Sequence, residues 1–436
     1  MKRSAAKSNR ILKVISNGSV VGTLVQESRT AQLRFAYEDA WRAADGAYPV
    51  SLSMPLVQAE YPDEVVRNVL SGILPDRRAT LDEIARDHHV ATDDPFALLG
   101  VLGEDCPGAM QYVRPERLDA MLDTDGGTVA WLTERDVASR IIALGTPGAP
   151  GRLHGDAGYF SLAGQQPKSA LYYDERANRW GVPEGGIPTT HIVKPTLGPD
   201  LRYLAAEYLS LTLAVQLQMS AASTFILRAE DQIALAIKRY DRAPDGSRWL
   251  RAHQEDLCQA LCISPALKYE KGGGPGIREI MRLIETVSVA PAVDAWRFLE
   301  AIVLNWVLIG TDAHARNYSL LIGTGGSARL APLYDVASVL DIAEKARLHI
   351  VNLAMQIGGS YTATKIRRAG WEQLAIDLQR KPVELRERVA TLVKRIPIAM
   401  ETVAEEARSE AELPSGIVTS LEEKIKARAA RCLRIV

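Results

Sequence analysis

Asp312 and Asn317 stand five residues apart in the stretch GTDAHARNYS, a short polar break between an apolar run and two strand-like segments. D-x-x-x-x-N is the spacing of a phosphoryl-transfer loop, in which the carboxylate accepts the proton of an acceptor hydroxyl and the amide oxygen ligates magnesium. The pair alone decides nothing. Such a reaction also needs donors over the phosphates, a cation on the α/β-phosphates and a further metal ligand, so the rest of the chain has to supply them.

Candidates for each occur in order. FSLAGQQPKSALYY carries Ser161, Ala163, Gly164, Gln165, Gln166, Pro167 and Lys168 between two strand-like runs; small residues there let backbone N–H groups approach phosphate oxygens, and Lys168 adds charge. It is not a Walker A loop. Lys194 ends the strand-like THIVK, where a phosphate-pairing lysine belongs, and Glu207 on the next helical segment is the carboxylate best placed by order to orient it. Lys238, Arg239 and Tyr240 close the run IALAIKRYD at the expected adenine-binding hinge. Asp335 in LYDVAS follows the catalytic loop as a second metal ligand, with oxygen donors of the kind magnesium prefers. His314 either lines this pocket or packs in its loop. Plainer alternatives exist for each, such as a hairpin turn or a solvated strand-end lysine. Their joint occurrence in one order weighs against those. The glycine run KGGGPG (271–276) precedes a helical segment and reads as a flexible loop near the cleft.

The elements that must position these residues divide the chain. ILKVIS, Asn17-Gly18 and SVVGTLV form a hairpin signal, LRFAY is a third strand, and helical patterns follow in DEVVRNVLSGIL, LDEIARDHHV and DPFALLGVLG. A helix is expected to open at Thr133, and GTPGAPG (145–151) reads as a linker. Strands are expected in YFSLAG, SALYYD, THIVKP, TFILRA and IALAIKRYD, with a turn at Trp180-Gly181 and one long helix, LAAEYLSLTLAVQLQM, among them. Beyond about residue 250 the pattern is helical, starting with QEDLCQALCI and interrupted by a hairpin, NYSLLIG with ARLAPLYD. This is a bilobal α+β organisation in three parts: 1–115, 116–250 with the nucleotide loop, and 251–436 with the catalytic loop.

Composition bounds the rest. Hydrophobic residues make up 47% and charged ones 24%, a globular balance, and a net charge of −1 gives no overall basic footprint for nucleic acid. The basic start MKRSAAKSNR reads as a frayed tail, or as a weak contact arm. Cys106, Cys258, Cys262 and Cys432 lack metal-ligand spacing and read as free thiols of a reducing cytosol. No apolar run is long enough to span a bilayer, so a cytoplasmic protein is expected.

Together FSLAGQQPKSAL, THIVKP, QEDLCQ, KYE with GGPG, GTDAHARN and LYDVAS resemble HipA, the toxin kinase family of HipBA toxin–antitoxin modules. NGSVVGTL, SLSMPL, GILPD and FALLG with GEDCPGA resemble the family's N-terminal subdomain, so the likeness runs from about residue 12 to 400. The resemblance implies a fold related to protein and phosphatidylinositol kinases, with an all-helical C-lobe. It implies a serine/threonine protein kinase using ATP and Mg2+, held in check by a HipB-like helix-turn-helix antitoxin. An aminoacyl-tRNA synthetase would be the substrate and growth arrest the outcome. By position, Asp312 is then the base, Asn317 and Asp335 the metal ligands and Lys194 the ATP-binding lysine. Ala163 to Lys168 form the nucleotide loop, His314 and Tyr334 line the site, and Ser161 is the autophosphorylation serine. Two rival readings are a small-molecule kinase, against which the N-terminal subdomain argues, and a catalytically weak co-repressor. Operator DNA would then be reached mainly through the antitoxin, with basic patches such as Lys365–Arg368 helping at most.

Overall fold

A computed structural model describes residues 9–124, 126–146, 160–196, 200–246, 248–343, 347–409 and 413–436. The basic start up to residue 8 and the linker stretch from residue 147 lie outside the described residues.

The chain opens with the antiparallel hairpin β1 (Arg10–Ser16) and β2 (Ser19–Gln26). Asn17 and Gly18 both have positive φ, 44° and 80°, which is the two-residue turn that Asn-Gly favours. β3 (Leu33–Tyr37), β4 (Glu60–Tyr61) and β5 (Met110–Val113) complete a five-stranded sheet in the order β4-β3-β2-β1-β5. The helix Asp63–Ile73 buries Val66, Val69, Leu70 and Ile73, a 3–4–7 spacing that makes one apolar stripe against this sheet. Asp94 caps the helix Pro95–Leu102 by accepting from the backbone N–H groups of Phe96 and Ala97.

A second sheet of six antiparallel strands follows. Its order is β10-β11-β9-β7-β8-β6, built from β6 (Gly127–Trp131), β7 (Ser169–Asp174), β8 (Arg179–Gly185), β9 (His191–Pro195), β10 (Thr224–Ala229) and β11 (Gln232–Lys238). The helix Glu134–Leu144 packs on it and opens with a reciprocal Thr133–Asp136 capping box, while Arg202–Gln216 is the long helix between β9 and β10. Two expectations fail here. The expected turn at Trp180-Gly181 lies inside β8. Gly181 is needed there because a Cβ would meet Val129 Cγ1 at 2.3 Å, and Trp180 stacks on Tyr173 with ring centroids 4.4 Å apart. FSLAG is no strand either: residues 160–168 form a loop, and strand structure starts only at Ser169.

The remaining part is helix-rich but not all-helical. Besides the helices Pro291–Leu308, Pro382–Ser409 and Ser415–Leu433 it holds a small hairpin of β12 (Arg242–Asp245) and β13 (Arg248–Arg251) at its entrance. β14 (Gln254–Asp256), β15 (Ser319–Ile322) and β16 (Ala328–Leu330) form a three-stranded sheet, and β17 (Asn352–Ile357) pairs with β18 (Ser360–Thr362). QEDLCQALCI is therefore part strand, followed by a single helical turn at Leu257–Ala260. Three of the four cysteines are buried and all are free. Among the described residues, no helix is long and apolar enough to cross a membrane.

Candidate active site

A cleft of about 420 Å³ opens where the second sheet meets the helix-rich part, and the stretch 310–319 forms part of its wall. The helix Pro291–Leu308 sets that position. It ends in Ile309 with φ 53°, a left-handed cap rare for a β-branched residue, and the Gly310 N–H donates to Asn305 O at 2.8 Å. A Cβ on Gly310 would lie 2.1 Å from Asn305 Oδ1, so only glycine fits as the chain turns into the loop. Asn317 Nδ2 donates to the Asp312 carbonyl at 2.6 Å, which closes the loop on itself and leaves the amide oxygen as the atom open to a ligand. The Asp312 side chain is 66% exposed and reaches solvent in the cleft.

Lys194, at the end of β9, is buried between two carboxylates. Its Nζ donates to Glu207 Oε1 at 2.6 Å, the partner expected from the following helix, and to Asp335 Oδ1. Burial alone would strip its proton, but Asp335 and Glu207 outweigh that and raise its pKa. Burial likewise works against the Asp335 charge, and Lys194 and Lys168 more than compensate, holding its carboxyl far below the usual range. Asp335 sits at φ 52° and is the point where the chain turns after β16. Lys168 folds back over its own loop, with Nζ donating to Ala163 O at 2.7 Å, and burial lowers its pKa. Gly164, at φ 110°, gives that ammonium its room, since a Cβ there would stand 2.5 Å from Nζ.

Ala163, Gly164, Gln165, Gln166 and Lys168 line the cleft, as do His314 and Tyr334; Pro167 and Ser161 do not. Ser161 is fully buried, its N–H donating to Asp105 O and its hydroxyl to Ile73 O, both at 2.9 Å. At the expected hinge, the Lys238 and Arg239 N–H groups are already donated to Ser223 O and Thr190 O, each at 2.9 Å. Their carbonyls and Tyr240 are what a base could still address. The Lys238 ammonium points outward to Glu175, and the Arg239 guanidinium enters a buried cluster with Asp241 and Asp105. Tyr240 and Tyr334 face each other across the slot at 5.9 Å. His314 is buried and its pKa is lowered to about 4, so it is neutral near pH 7; Nε2 stands 3.6 Å from Asp312 Oδ1, too far for a hydrogen bond.

Some lining residues escaped sequence reasoning. Tyr269 donates its phenol to Asp312 Oδ1 and packs edge-on to His314 at 4.8 Å. Asp76, Lys268 and Arg316 form an ion-pair group beside the Asp312–Asn317 loop. Tyr269 stands inside the quoted motif KYE and Asp76 inside GILPD, but nothing linear marks either as facing Asp312 or Arg316.

Among the described residues, no group of three His, Cys, Asp or Glu side chains could hold a metal by itself. Magnesium does not require one, because it keeps several waters and shares substrate phosphates with one or two protein carboxylates. A carboxylate on Asp335 and an open amide oxygen on Asn317 in one cleft fit that pattern.

A strand-rich lobe and a helix-rich lobe with this cleft between them define a bilobal α+β fold. The chain belongs to the HipA family: the HipA-like C-terminal domain matches residues 160–400 and the HipA N-terminal domain residues 12–113. Y4mE of Sinorhizobium fredii is 30% identical over 427 residues, covering 96% of this chain and 98% of that protein. The serine/threonine-protein kinase toxin HipA of Shewanella oneidensis is 28% identical over 343 residues, 73% of each chain. A solved structure of HipA with HipB and its operator DNA, also from Shewanella oneidensis, shares the fold with a TM-score of 0.82 at 24% identity, over 96% of this chain and 97% of that one.

Proposed function

We propose that this chain is an ATP- and magnesium-dependent serine/threonine protein kinase acting as a toxin. The observation that carries the reading is Lys194, seated on Glu207 and Asp335 in the cleft that also holds Asp312 and Asn317. Lys194 is oriented by Glu207 to meet the α- and β-phosphates of ATP, and the backbone N–H groups of Ala163, Gly164, Gln165, Gln166 and Lys168 cover the phosphates, with the Lys168 ammonium behind them. Tyr240, Tyr334 and the carbonyls of Lys238 and Arg239 hold the base. Asn317 and Asp335 hold magnesium, which supplies neutralisation of the phosphate charge. Asp312 accepts the proton of a serine hydroxyl as the serine oxygen attacks the γ-phosphorus in line, the bond from that phosphorus to the β–γ bridging oxygen breaks and ADP leaves; His314, being neutral, leaves the carboxylate without a competing cation.

Ser161 is the switch in this reading. Its hydroxyl is buried on Ile73 O, and a phosphate carrying about −1.5 to −2 charge has no place there, so the modified loop must leave its seat. An aminoacyl-tRNA synthetase in the cytoplasm is the proposed substrate, with growth arrest as the result. A HipB-like antitoxin is the proposed partner, supported by the likeness to a HipA solved with HipB and operator DNA. The test is incubation with Mg2+ and γ-labelled ATP beside Asp312→Gln and Ser161→Ala, with each phosphate located by mass spectrometry. Label on Ser161 that Asp312→Gln abolishes is expected. No label on this chain or on any protein of an added cell extract would overturn the reading.

A further inference from the structure

The stretch GILPD (72–76) is remote in sequence from every chemical motif of the chain, yet its last residue touches both loops of the cleft. Asp76 follows the helix Asp63–Ile73 of the N-terminal sheet unit. Its backbone N–H donates to Gly164 O in the phosphate loop at 3.2 Å. Its carboxylate accepts from Arg316, inside the Asp312–Asn317 loop, through one oxygen, and from Lys268 Nζ at 2.9 Å through the other. Arg316 is fixed further by Asp256 at 3.0 Å and Gly72 O at 2.7 Å, and the Lys268 carbonyl takes the Ala315 N–H at 3.3 Å. These side chains are nearly dry, with exposures of 13% for Asp76, 11% for Lys268 and 3% for Arg316. Breaking a buried ion pair by removing one partner is strongly destabilising; Arg316 would keep Asp256, but Lys268 would lose its ion-pair partner Asp76, so removing this carboxylate should loosen the loop above it.

We propose that Asp76 is a positioning residue of the active site, through which the N-terminal unit holds the phosphate loop and the catalytic loop at a fixed separation. This rests on the kinase reading, and it makes the N-terminal unit a structural part of the site. Whatever displaces residues 72–76 then alters turnover without entering the cleft.

The test is hydrogen exchange of the full-length protein with Asp76→Asn and Asp76→Glu, alongside phosphate transfer from γ-labelled ATP. Asp76→Asn should speed exchange in peptides covering 161–168 and 312–317 by roughly 10- to 100-fold, the range set by losing a hydrogen bond to a charged group. Exchange in the helices Asp63–Ile73 and Pro291–Leu308 should stay at the wild-type rate, and Asp76→Glu should restore much of the protection. Unchanged loop exchange would overturn the proposal, as would acceleration spread through the whole N-terminal unit, which marks a merely structural carboxylate. Exchange needs no turnover, so wild-type protein that transfers no phosphate would sink the kinase reading while the exchange data still decide the role of Asp76.

Discussion

A buried lysine keeps its charge only while its carboxylates stay, and Lys194 has two of them in Glu207 and Asp335. In the proposed kinase reading nucleotide binding draws on the same ammonium, so Lys194→Met should weaken ATP binding about 10- to 100-fold by titration calorimetry, the loss expected for a hydrogen bond to a charged group. Wild-type affinity in that variant would contradict the assignment. Glu255 poses the opposite problem. Its Oε1 accepts the Leu52 N–H at 2.7 Å but Oε2 is buried without a partner, and burial pushes the carboxyl up to about 8. The folded state therefore holds a proton that the unfolded state has already released, and stability falls as pH rises from about 4.5 to 8. Glu255→Gln removes that loss. Its stability relative to wild type should climb between pH 5 and 8, by at most about 1.4 kcal/mol per pH unit in urea unfolding; a pH-independent difference would count against a neutral Glu255.

Elements carry these residues to their places. The helix Pro291–Leu308 is buried along most of its length, and Trp306 within it has no exposed surface, donates to Ala363 O at 3.0 Å and meets Trp371 edge-on at 5.1 Å. Trp306→Ala should cost about 3–5 kcal/mol through the cavity left behind, seen as a lowered unfolding midpoint. Because the Asp312–Asn317 loop hangs from the end of this helix, the proposed activity should fall before the fold is lost. The first hairpin was legible because Asn-Gly has few other uses between alternating apolar runs, and the helix Glu134–Leu144 because Thr133 and Asp136 make its cap. Trp180-Gly181 misled because glycine serves two needs, a turn or a close strand crossing, and only the neighbour Val129 decides between them. FSLAG has the texture of a strand, yet the Ser161 N–H goes to Asp105 O and the Gly164 carbonyl accepts from Asp76, both of another unit, which no local pattern can announce. The lysine–carboxylate pair followed from order along the chain, whereas Tyr269 on Asp312 depends on a loop returning from 43 residues away.

At the scale of the molecule, buried charge joins the N-terminal unit to the segment that leads from the second sheet into the helix-rich part. Asp105 lies among Arg239, Arg242 and Arg251, with Asp241 balancing the other side of Arg239 and Arg242. His253 crosses the same boundary, its Nε2 3.1 Å from Val50 O and its ring stacked on Tyr48 at 5.5 Å. Burial lowers the pKa of both His253 and His191 to about 4, so each is neutral when folded and protonated in the unfolded chain below about pH 6.5. With His314, lowered likewise, three histidines outweigh the contrary trend of Glu255, so stability should be lost as pH falls from 6.5 to 4. A urea midpoint that is flat or rising over that range would refute this. The proposed role of Asp312 as the base of a phosphoryl-transfer site is tested by comparing Asp312→Asn with wild type in ATP affinity and in rate of phosphate transfer. Affinity within about 3-fold of wild type and a rate lower by roughly 10²- to 10⁴-fold, the share that a general base supplies, are expected. A variant that transfers phosphate at the wild-type rate would contradict that role.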